Sequence, residues 1–279
     1  MTTYGITGAT GQLGSLAAEL LLQKVAPADV VLLSRSPEKI AAAGATTRAA
    51  DFDSPEGLVE AFTGIDELLL VSTDVVGSRL EGQRAAVEAA TKAGVRRVLY
   101  TSVPDPSEDN PALVTPDHLG TEQALRDSGL RWTFLRNNLY ADMQSDVVAQ
   151  AAASGTYVTN TGEAGAAYVT RADCAAAAVG ALLSTDVDDT ALDVTGPSSV
   201  TAADIAALAA ERRGEPVQVV QVDDAAYVAG LEQAGLPTFV AELLASFGTA
   251  IREGRLAEVT SAVEDLTGRP ATPLATALA

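Results

Sequence analysis

The sequence predicts an α/β protein built on a doubly wound parallel sheet, and three observations carry that reading. An apolar N-terminal segment, Thr2–Thr7, runs directly into glycines at every third position, Gly8, Gly11 and Gly14, and then into an amphipathic segment. Strand-like and helix-like segments alternate through the first half of the chain, as in a series of βαβ units. One strand segment, Leu68-Leu69-Leu70-Val71, is apolar without a break, as parallel strands covered on both faces are.

Taken in order, Thr2–Thr7 is the first strand and Gln12–Lys24 the first helix, with Leu13, Leu16, Ala17, Leu20 and Leu21 on one face. Val30–Leu33 is the second strand, and Pro37 to about Ala43 reads as a short helix. Thr46–Ala50 is a third strand ending at Asp51-Phe52-Asp53, followed by a helix over Pro55–Phe62. Asp66–Val71 is the fourth strand, and Ser78–Ala93 a helix closed by Gly94. Val95–Thr101, Asp117–Ser128 and Arg131–Leu135 continue as strand, helix and strand. Between the fifth strand and its helix, Val103–Pro116 holds four prolines with Asp105, Glu108 and Asp109. A loop of this length is either a lid or binding loop, or surface decoration.

The second half is less regular. Ala172–Ala181 is an alanine-rich helix, and Ser184–Thr190 an acidic linker before a strand at Ala191–Thr195. Thr201–Arg212 is a helix with Thr201 as its N-cap and Asp204 in its first turn. Val217–Val222 alternates as a strand does; Ala225–Ala234 and Pro237–Glu253 are helical. The apolar stripe of Leu236, Phe239, Val240, Leu243, Leu244 and Phe247 serves either core packing or a pocket wall.

Composition narrows the function. With 47% hydrophobic and 20% charged residues among 279, the chain buries a large core and is not of the disordered class. The formal net charge of −19 argues against nucleic acid and anionic membrane surfaces, which need clustered Lys and Arg. The single cysteine, Cys174, excludes an intrachain disulfide and a cysteine metal cluster; it is expected to pack as a small apolar group. No metal site is expected. The N-terminus goes straight into strand and glycine turn, and no apolar run is long enough to span a bilayer, so the expectation is a cytoplasmic protein.

The glycine spacing has a chemical meaning between strand and helix. The first glycine permits a tight turn, the second lets backbone approach a pyrophosphate, and the third lets helix and strand pack closely. The helix N-terminus then offers free N–H groups and partial positive charge to the anion. The end of the second strand, Ser34-Arg35-Ser36-Pro37, carries no Asp or Glu to hold a ribose 2′-hydroxyl. It carries an arginine between two serines, donors that suit a 2′-phosphate, unless Arg35 is a solvated residue before the next turn. NADP(H) is therefore the expected cofactor. Ligands of such sheets lie beyond the carboxyl ends of the strands. The candidate cofactor contacts are Gly8, Thr10, Gly11, Gln12, Leu13, Arg35, Asp51, Phe52, Ser72, Thr73 and Ser102.

Four segments carry a family resemblance. Gly5–Gly14, Asp117-His118-Leu119-Gly120-Thr121-Glu122, Leu135-Arg136-Asn137-Asn138-Leu139-Tyr140 and Thr170-Arg171-Ala172-Asp173 resemble the NmrA-like branch of the atypical short-chain dehydrogenases. The likeness runs to Leu266-Thr267-Gly268-Arg269. It implies a Rossmann fold that binds NADP(H), with a small C-terminal substrate region. It also implies reduction of quinone-like or dye-like acceptors or, in some members, NADP(H) sensing without turnover. On this reading residues 1–135 are the NADP-binding core, and residues 136–279 are a substrate-binding α/β portion partly interleaved with it.

The chemistry is marked by an absence. Most short-chain dehydrogenases use a Tyr-x-x-x-Lys pair to protonate an alkoxide. Here Tyr100, Tyr140, Tyr157 and Tyr168 are followed four residues later by Pro104, Gln144, Thr161 and Ala172, and no lysine follows Lys92. A conjugated acceptor does not need that acid, because hydride enters a delocalised system that water can protonate. The expected partner is thus a small conjugated acceptor; a homodimer is left open. His118, the only histidine, is the tentative acid: its neutral form can donate a hydrogen bond, its cation can protonate a product, or it caps its own helix. Tyr140 is the second tentative catalytic group. Asn137, Asn138, Tyr140 and Met143 are the candidate substrate contacts. Arg136 is expected to pair with a carboxylate of the fold, and Arg171 and Asp173 to pin their helix to the core.

Overall fold

Strand β1 (Tyr4–Ile6) leads into the glycine turn and helix α1 (Gln12–Leu22) in the computed structural model, which describes residues 2–41 and 43–279. Gly8 sits at φ +62°, a left-handed conformation that costs a side chain dearly. A Cβ on Gly14 would lie 2.2 Å from the carbonyl oxygen of Gly8, so the helix can pack against the turn only if residue 14 has none. The chain continues as β2 (Val30–Ser34), β3 (Thr46–Ala49), α2 (Leu58–Phe62), β4 (Glu67–Leu70), α3 (Leu80–Ala93), β5 (Arg97–Ser102), α4 (Thr115–Asp127) and β6 (Arg131–Asn137). The rest is α5 (Gln144–Ser154), β7 (Thr156–Thr159), β8 (Gly165–Ala166), α6 (Arg171–Leu183), β9 (Thr190–Val194), β10 (Val200–Thr201), α7 (Ala202–Arg213), β11 (Gln218–Gln221), α8 (Asp224–Gln233), α9 (Thr238–Arg252), α10 (Ala262–Thr267) and α11 (Leu274–Ala277).

The main sheet has seven strands in the order β3-β2-β1-β4-β5-β6-β9, every pair parallel. The chain winds one way from β1 to β3 and then the other way from β4. The switch point therefore lies between β1 and β4, where a crevice opens. The unbroken apolar run of β4 is explained by its two neighbours. Leu69 joins Ile6, Leu32, Leu99 and Leu135 in the layer beneath α1 and α6. Leu68 and Leu70 join Val31, Leu33, Val98 and Phe134 in the layer on the opposite face, with Ala86 and Ala90 of α3. Burial of each such leucine contributes about 1.5–3 kcal/mol.

At the amino end of the sheet, away from the crevice, the buried Arg97 makes four hydrogen bonds. It donates to Glu67 (2.6 Å), Asp188 (2.9 Å) and the carbonyls of Ala181 and Leu182 (3.1 and 3.0 Å), fastening the end of α6 to β4 and β5. Asp188 belongs to the acidic segment between α6 and β9, which is thus an anchor as well as a linker. Cys174 is buried in the layer under α1, as a small apolar group.

The chain leaves the sheet after β6, forms α5, β7 and β8, and returns through α6 and β9 to complete the edge. The remaining elements form a smaller layer around Val148, Ala151, Ile205, Ala209, Ile251 and Leu256. Thr201 caps α7 with Asp204 in a reciprocal capping box. α5, β7, β8, β10, α10 and α11 have no counterpart in the expected element order.

The expected helix from Pro37 to about Ala43 is corrected: it is a single 3₁₀ turn, Pro37–Lys39, and Ala42 lies outside the described residues. Ile40 turns to extended backbone (ψ 128°) and packs against the core, an attraction that a helix too short to offset its own nucleation does not overcome. Likewise only Leu58–Phe62 of the Pro55–Phe62 segment is α-helical, after a 3₁₀ turn at Pro55–Gly57.

Candidate active site

The glycine turn ends in an open helix terminus. Gly11 is the N-cap of α1, no side chain caps the first turn, and no acidic residue lies in it. Its N–H groups and partial positive charge are free for an anion. Thr10 ties the turn to β2, sharing a 2.7 Å hydrogen bond between its hydroxyl and that of Ser34. The Ser36 N–H also donates to the Ser34 hydroxyl (3.2 Å), which shapes the backbone around Arg35. Arg35 is exposed and forms no side-chain hydrogen bond or ion pair among the described residues. Asp51 and Phe52 follow β3 at the same edge. Asp51 accepts from the Asp53 N–H (3.1 Å), and Gly82 of α3 packs so tightly under Phe52 that a Cβ there would lie 2.9 Å from its carbonyl oxygen. Gln12 and Leu13 open α1, with Leu13 buried in the core.

A large cavity opens at the carboxyl ends of β4, β5 and β6, next to the turn. Thr7, just before Gly8, accepts from the Val71 N–H (2.9 Å) and so joins the start of the loop to the end of β4. A cavity of about 1070 Å³ starts at Ser72, Thr73, Ser102, His118, Asn137 and Tyr140 and extends between α5, α8 and α9. Its far wall is mostly apolar or aromatic, with Tyr157, Tyr168, Tyr227, Leu231, Leu243 and Phe247. Leu236 and Leu244 of the expected stripe face the cavity too, whereas Phe239 and Val240 are exposed.

The polar groups at the cavity floor fall into two classes. Some are engaged by the fold. Ser102 donates to Glu122 (2.8 Å), a fully buried carboxylate that also receives Arg136 through two bonds (3.0 and 2.9 Å) and Arg126 (2.9 Å). Arg136 thus pairs with a carboxylate as expected. Ser72 is held to β5, its N–H donating to the Thr101 hydroxyl (2.8 Å). Asn138 lines the cavity, but its amide donates to the Leu256 carbonyl (3.0 Å) and accepts from the Leu139 N–H (2.8 Å). Asn138 thus clamps β6 to the chain after α9 while also lining the cavity. The other class has capacity left. The buried Asn137 Oδ1 accepts no hydrogen bond among the described residues, so a ligand donor placed there would satisfy it.

His118 is buried and faces the cavity. Burial, and then the Arg79 guanidinium, hold its imidazole well below the ordinary range. The cationic acid considered above is thus corrected: the desolvation of a buried ring keeps His118 neutral. Tyr140 stands under the Arg171 guanidinium, 4.4 Å from its ring centroid, and burial pushes its phenol up. Arg171 therefore serves the cavity wall more than the core. Asp173 holds the C-terminal segment, accepting from Arg269 (2.7 Å) and the Thr272 N–H (2.8 Å). Met143 is half exposed at the cavity rim.

Residues missed by sequence reasoning frame the floor. Arg79 is buried and donates to Asp117 (3.2 Å) and to the Thr73 carbonyl (2.7 Å), while the Gly77 N–H donates to the same Asp117 carboxylate (2.7 Å). This pair sets the loop between β4 and α3 against the first turn of α4. The Val103–Pro116 loop is likewise pinned: Arg255 donates to Asp105 (2.9 Å) and Asp109 (3.0 Å), and the Leu113 N–H to Ser246 (3.1 Å). These contacts fasten it to the end of α9 and to the segment just after it.

The outer cover is anchored at one end. Helix α8 has no buried residue and lies on α9. Its first residue, Asp224, receives both terminal nitrogens of Arg252 (2.9 Å each), Asn160 (2.8 Å) and Thr249 (3.1 Å). The Arg252 hydrogen bonds hold the Asp224 carboxyl down at about 2, against 3.8 ordinarily. The unfolded chain binds that proton more readily, so this anchor stabilises fully above about pH 5 and is lost as the pH falls toward about 2. Asp224→Asn is expected to make the fall of urea-unfolding midpoints over that interval shallower. An unchanged slope would show that the anchor does not contribute.

A sequence model described as NAD(P)H-binding matches residues 8–185, from the first turn glycine to the end of α6. The chain belongs to this NAD(P)H-binding family. Similarity extends over the whole length. Quinone oxidoreductase 2 of Escherichia coli is 33% identical over 97% of this chain and 95% of its own. The structure of NADPH-dependent quinone oxidoreductase from that organism, complexed with NADPH, superposes with a TM-score of 0.94 over 99% of this chain and 98% of the other. The Citrobacter triphenylmethane reductase complexed with NADP(H) is 29% identical, with a TM-score of 0.90 over 99% and 98% of the two chains. An NmrA-like family oxidoreductase of Aspergillus flavus is 27% identical over 97% of this chain and 92% of its own, in accord with the NmrA-like resemblance. No helix among the described residues is long and apolar enough to cross a membrane.

Proposed function

We propose that this chain is an NADPH-dependent reductase that passes hydride to a quinone-like or dye-like conjugated acceptor. The observation that carries this is the large, mainly apolar cavity that opens at the carboxyl ends of β4, β5 and β6, beside the strand end to which Thr7 ties the glycine turn, in a chain without a Tyr–Lys acid pair. In this reading the N-terminal amides of α1, with Gly8, Thr10 and Gly11, hold the pyrophosphate, and Arg35 holds the 2′-phosphate. Asp51 and Phe52 flank the adenine end, and Ser72, Thr73, Ser102 and Asn137 the nicotinamide end. The bound NADPH supplies the hydride. The α5, α8 and α9 walls exclude water and hold a flat acceptor against the floor, so orientation provides most of the acceleration. A quinone or azo acceptor, anionic after hydride addition, takes its proton at oxygen or nitrogen from bulk water, whereas a cationic triarylmethane dye becomes neutral on receiving hydride at its central carbon and needs no proton.

The test is oxidation of NADPH against quinones, triarylmethane dyes, azo compounds and simple ketones. Quinones or dyes are expected to react, and aliphatic ketones poorly, because their alkoxide meets no strong acid. Rapid ketone reduction would overturn the reading. Tight binding of NADPH with no oxidation by any acceptor would favour a sensor of NADP(H) instead. Arg35→Ala is expected to weaken NADPH binding roughly ten- to hundredfold, the equivalent of one charge-assisted hydrogen bond, and to leave NADH binding little changed. Equal losses for both cofactors in calorimetric titrations would remove Arg35 from the 2′-phosphate site.

A further inference from the structure

Three buried neutral groups run in a line on one face of the sheet, from α3 past β5 to α4 and the cavity. Gln83 of α3 and Tyr100 of β5 have no exposure, and His118 of α4 has 3%. Tyr100 Oη lies 2.9 Å from Gln83 Oε1 and 2.8 Å from His118 Nδ1. The phenol has one proton for these two neighbours. An amide oxygen can only accept, so the contact at 2.9 Å requires the phenol proton to point at Gln83. Tyr100 Oη then has lone pairs alone to offer His118, and the 2.8 Å contact requires a proton on Nδ1. Neutral imidazole carries only one N–H, so Nε2 is left with a lone pair. Since Nδ1 is turned to Tyr100, the edge of the ring that faces the cavity is the one holding Nε2.

We infer that Gln83, acting through Tyr100, is a positioning residue that fixes His118 in its Nδ1–H tautomer and makes Nε2 a hydrogen-bond acceptor for a ligand hydroxyl. This reverses the donor role expected of His118. It also deepens the proposed reductase reading, which it needs only to say whose hydroxyl is bound: a ribose hydroxyl of the cofactor or a phenolic hydroxyl of the reduced acceptor. The tautomer itself rests on the three residues alone. The opposite tautomer goes with the amide of Gln83 reversed, its NH₂ donating to Tyr100. The orientation of one buried amide therefore sets the polarity of the whole line.

His118 is the only histidine, so one pair of ring nitrogens answers the question. In long-range proton–nitrogen correlation spectra of the ¹⁵N-labelled protein at neutral pH, Nε2 correlates strongly with both ring protons. It is expected to resonate far downfield, as an unprotonated nitrogen. In Gln83→Leu, which also removes the unpartnered Nε2 amide group of Gln83, the phenol is free to donate to His118. The downfield resonance is then expected to pass from Nε2 to Nδ1. Tyr100→Phe removes the acceptor for Nδ1–H and is expected to abolish the Nδ1–H preference, giving a second check should the first variant not fold. Protonated Nε2 in the wild type, or a pattern unmoved in both variants, would overturn the inference. Addition of NADP⁺ alone, and then of NADP⁺ with a hydroquinone, separates the two hydroxyl sources. An upfield shift of Nε2 with NADP⁺ assigns the ribose, and one only with hydroquinone assigns the acceptor. No shift in either case would overturn the ligand-accepting role, whether or not the protein turns over.

Discussion

Gly11→Val is expected to leave the chain folded and to weaken NADPH binding by about two to four orders of magnitude. Residue 11 has φ −81° and ψ 167°, extended backbone that valine adopts readily. A Cβ there meets only the Gly8 carbonyl oxygen, at 3.2 Å, a contact a small shift relieves. The branched side chain would then stand over the uncapped first turn of α1, between the amides and the pyrophosphate. Loss of two hydrogen bonds to a charged group corresponds to about 3–6 kcal/mol. Calorimetric titration with NADPH, alongside a thermal melt, checks both halves. Unchanged affinity in a folded variant would place the pyrophosphate elsewhere. Gly14 offers the contrast: with the Gly8 oxygen 2.2 Å from any Cβ, substitution there strikes the fold first.

Asp117→Ala is expected to lower the stability of the protein by about 3–5 kcal/mol. Among the described residues the carboxylate is the only charged partner of Arg79, and both side chains are more than nine-tenths buried. Removing one member leaves an uncompensated buried charge, whose desolvation the remaining bonds to the Thr73 and Val114 carbonyls only partly offset. The Gly77 N–H loses its acceptor as well. Denaturant unfolding of the variant against wild type measures the loss, and NADPH titration reports whether the loop between β4 and α3 still holds its shape. A loss under about 1 kcal/mol would mean that water or a rearranged Arg79 relieves the charge.

Much of the fold was legible because its signals are local. The glycine spacing, the alternation of strand and helix and the unbroken run of β4 each depend on residues close in sequence, and the sheet has the expected parallel winding. Thr201 as N-cap with Asp204 in the first turn is a signal of three residues' span, and the structure joins the two in a capping box. The helix assigned after Pro37 failed because burial of Ile40 outweighed a weak local preference. Helix α5 escaped notice because its apolar positions are mostly alanines, which mark no clear face.

The candidate site divides along the same line. By itself the sequence determined the strand carboxyl edge, the glycine turn ahead of α1, an arginine in place of an acid after β2 and the absence of a Tyr–Lys pair. Each is a matter of residue type at a short spacing. Only the tertiary structure decided that Asn138 is a clamp, that the proline-rich loop is pinned by Arg255, and that the cavity is closed by α5, α8 and α9. It alone decided the state of His118, because the proton on an imidazole is set by its burial and by Tyr100 and Gln83, which come from two other elements. Chain spacing specifies how a segment turns and which face it buries. Protonation and hydrogen-bond polarity depend on which distant groups share the same few ångströms, and that is fixed only when the layers pack.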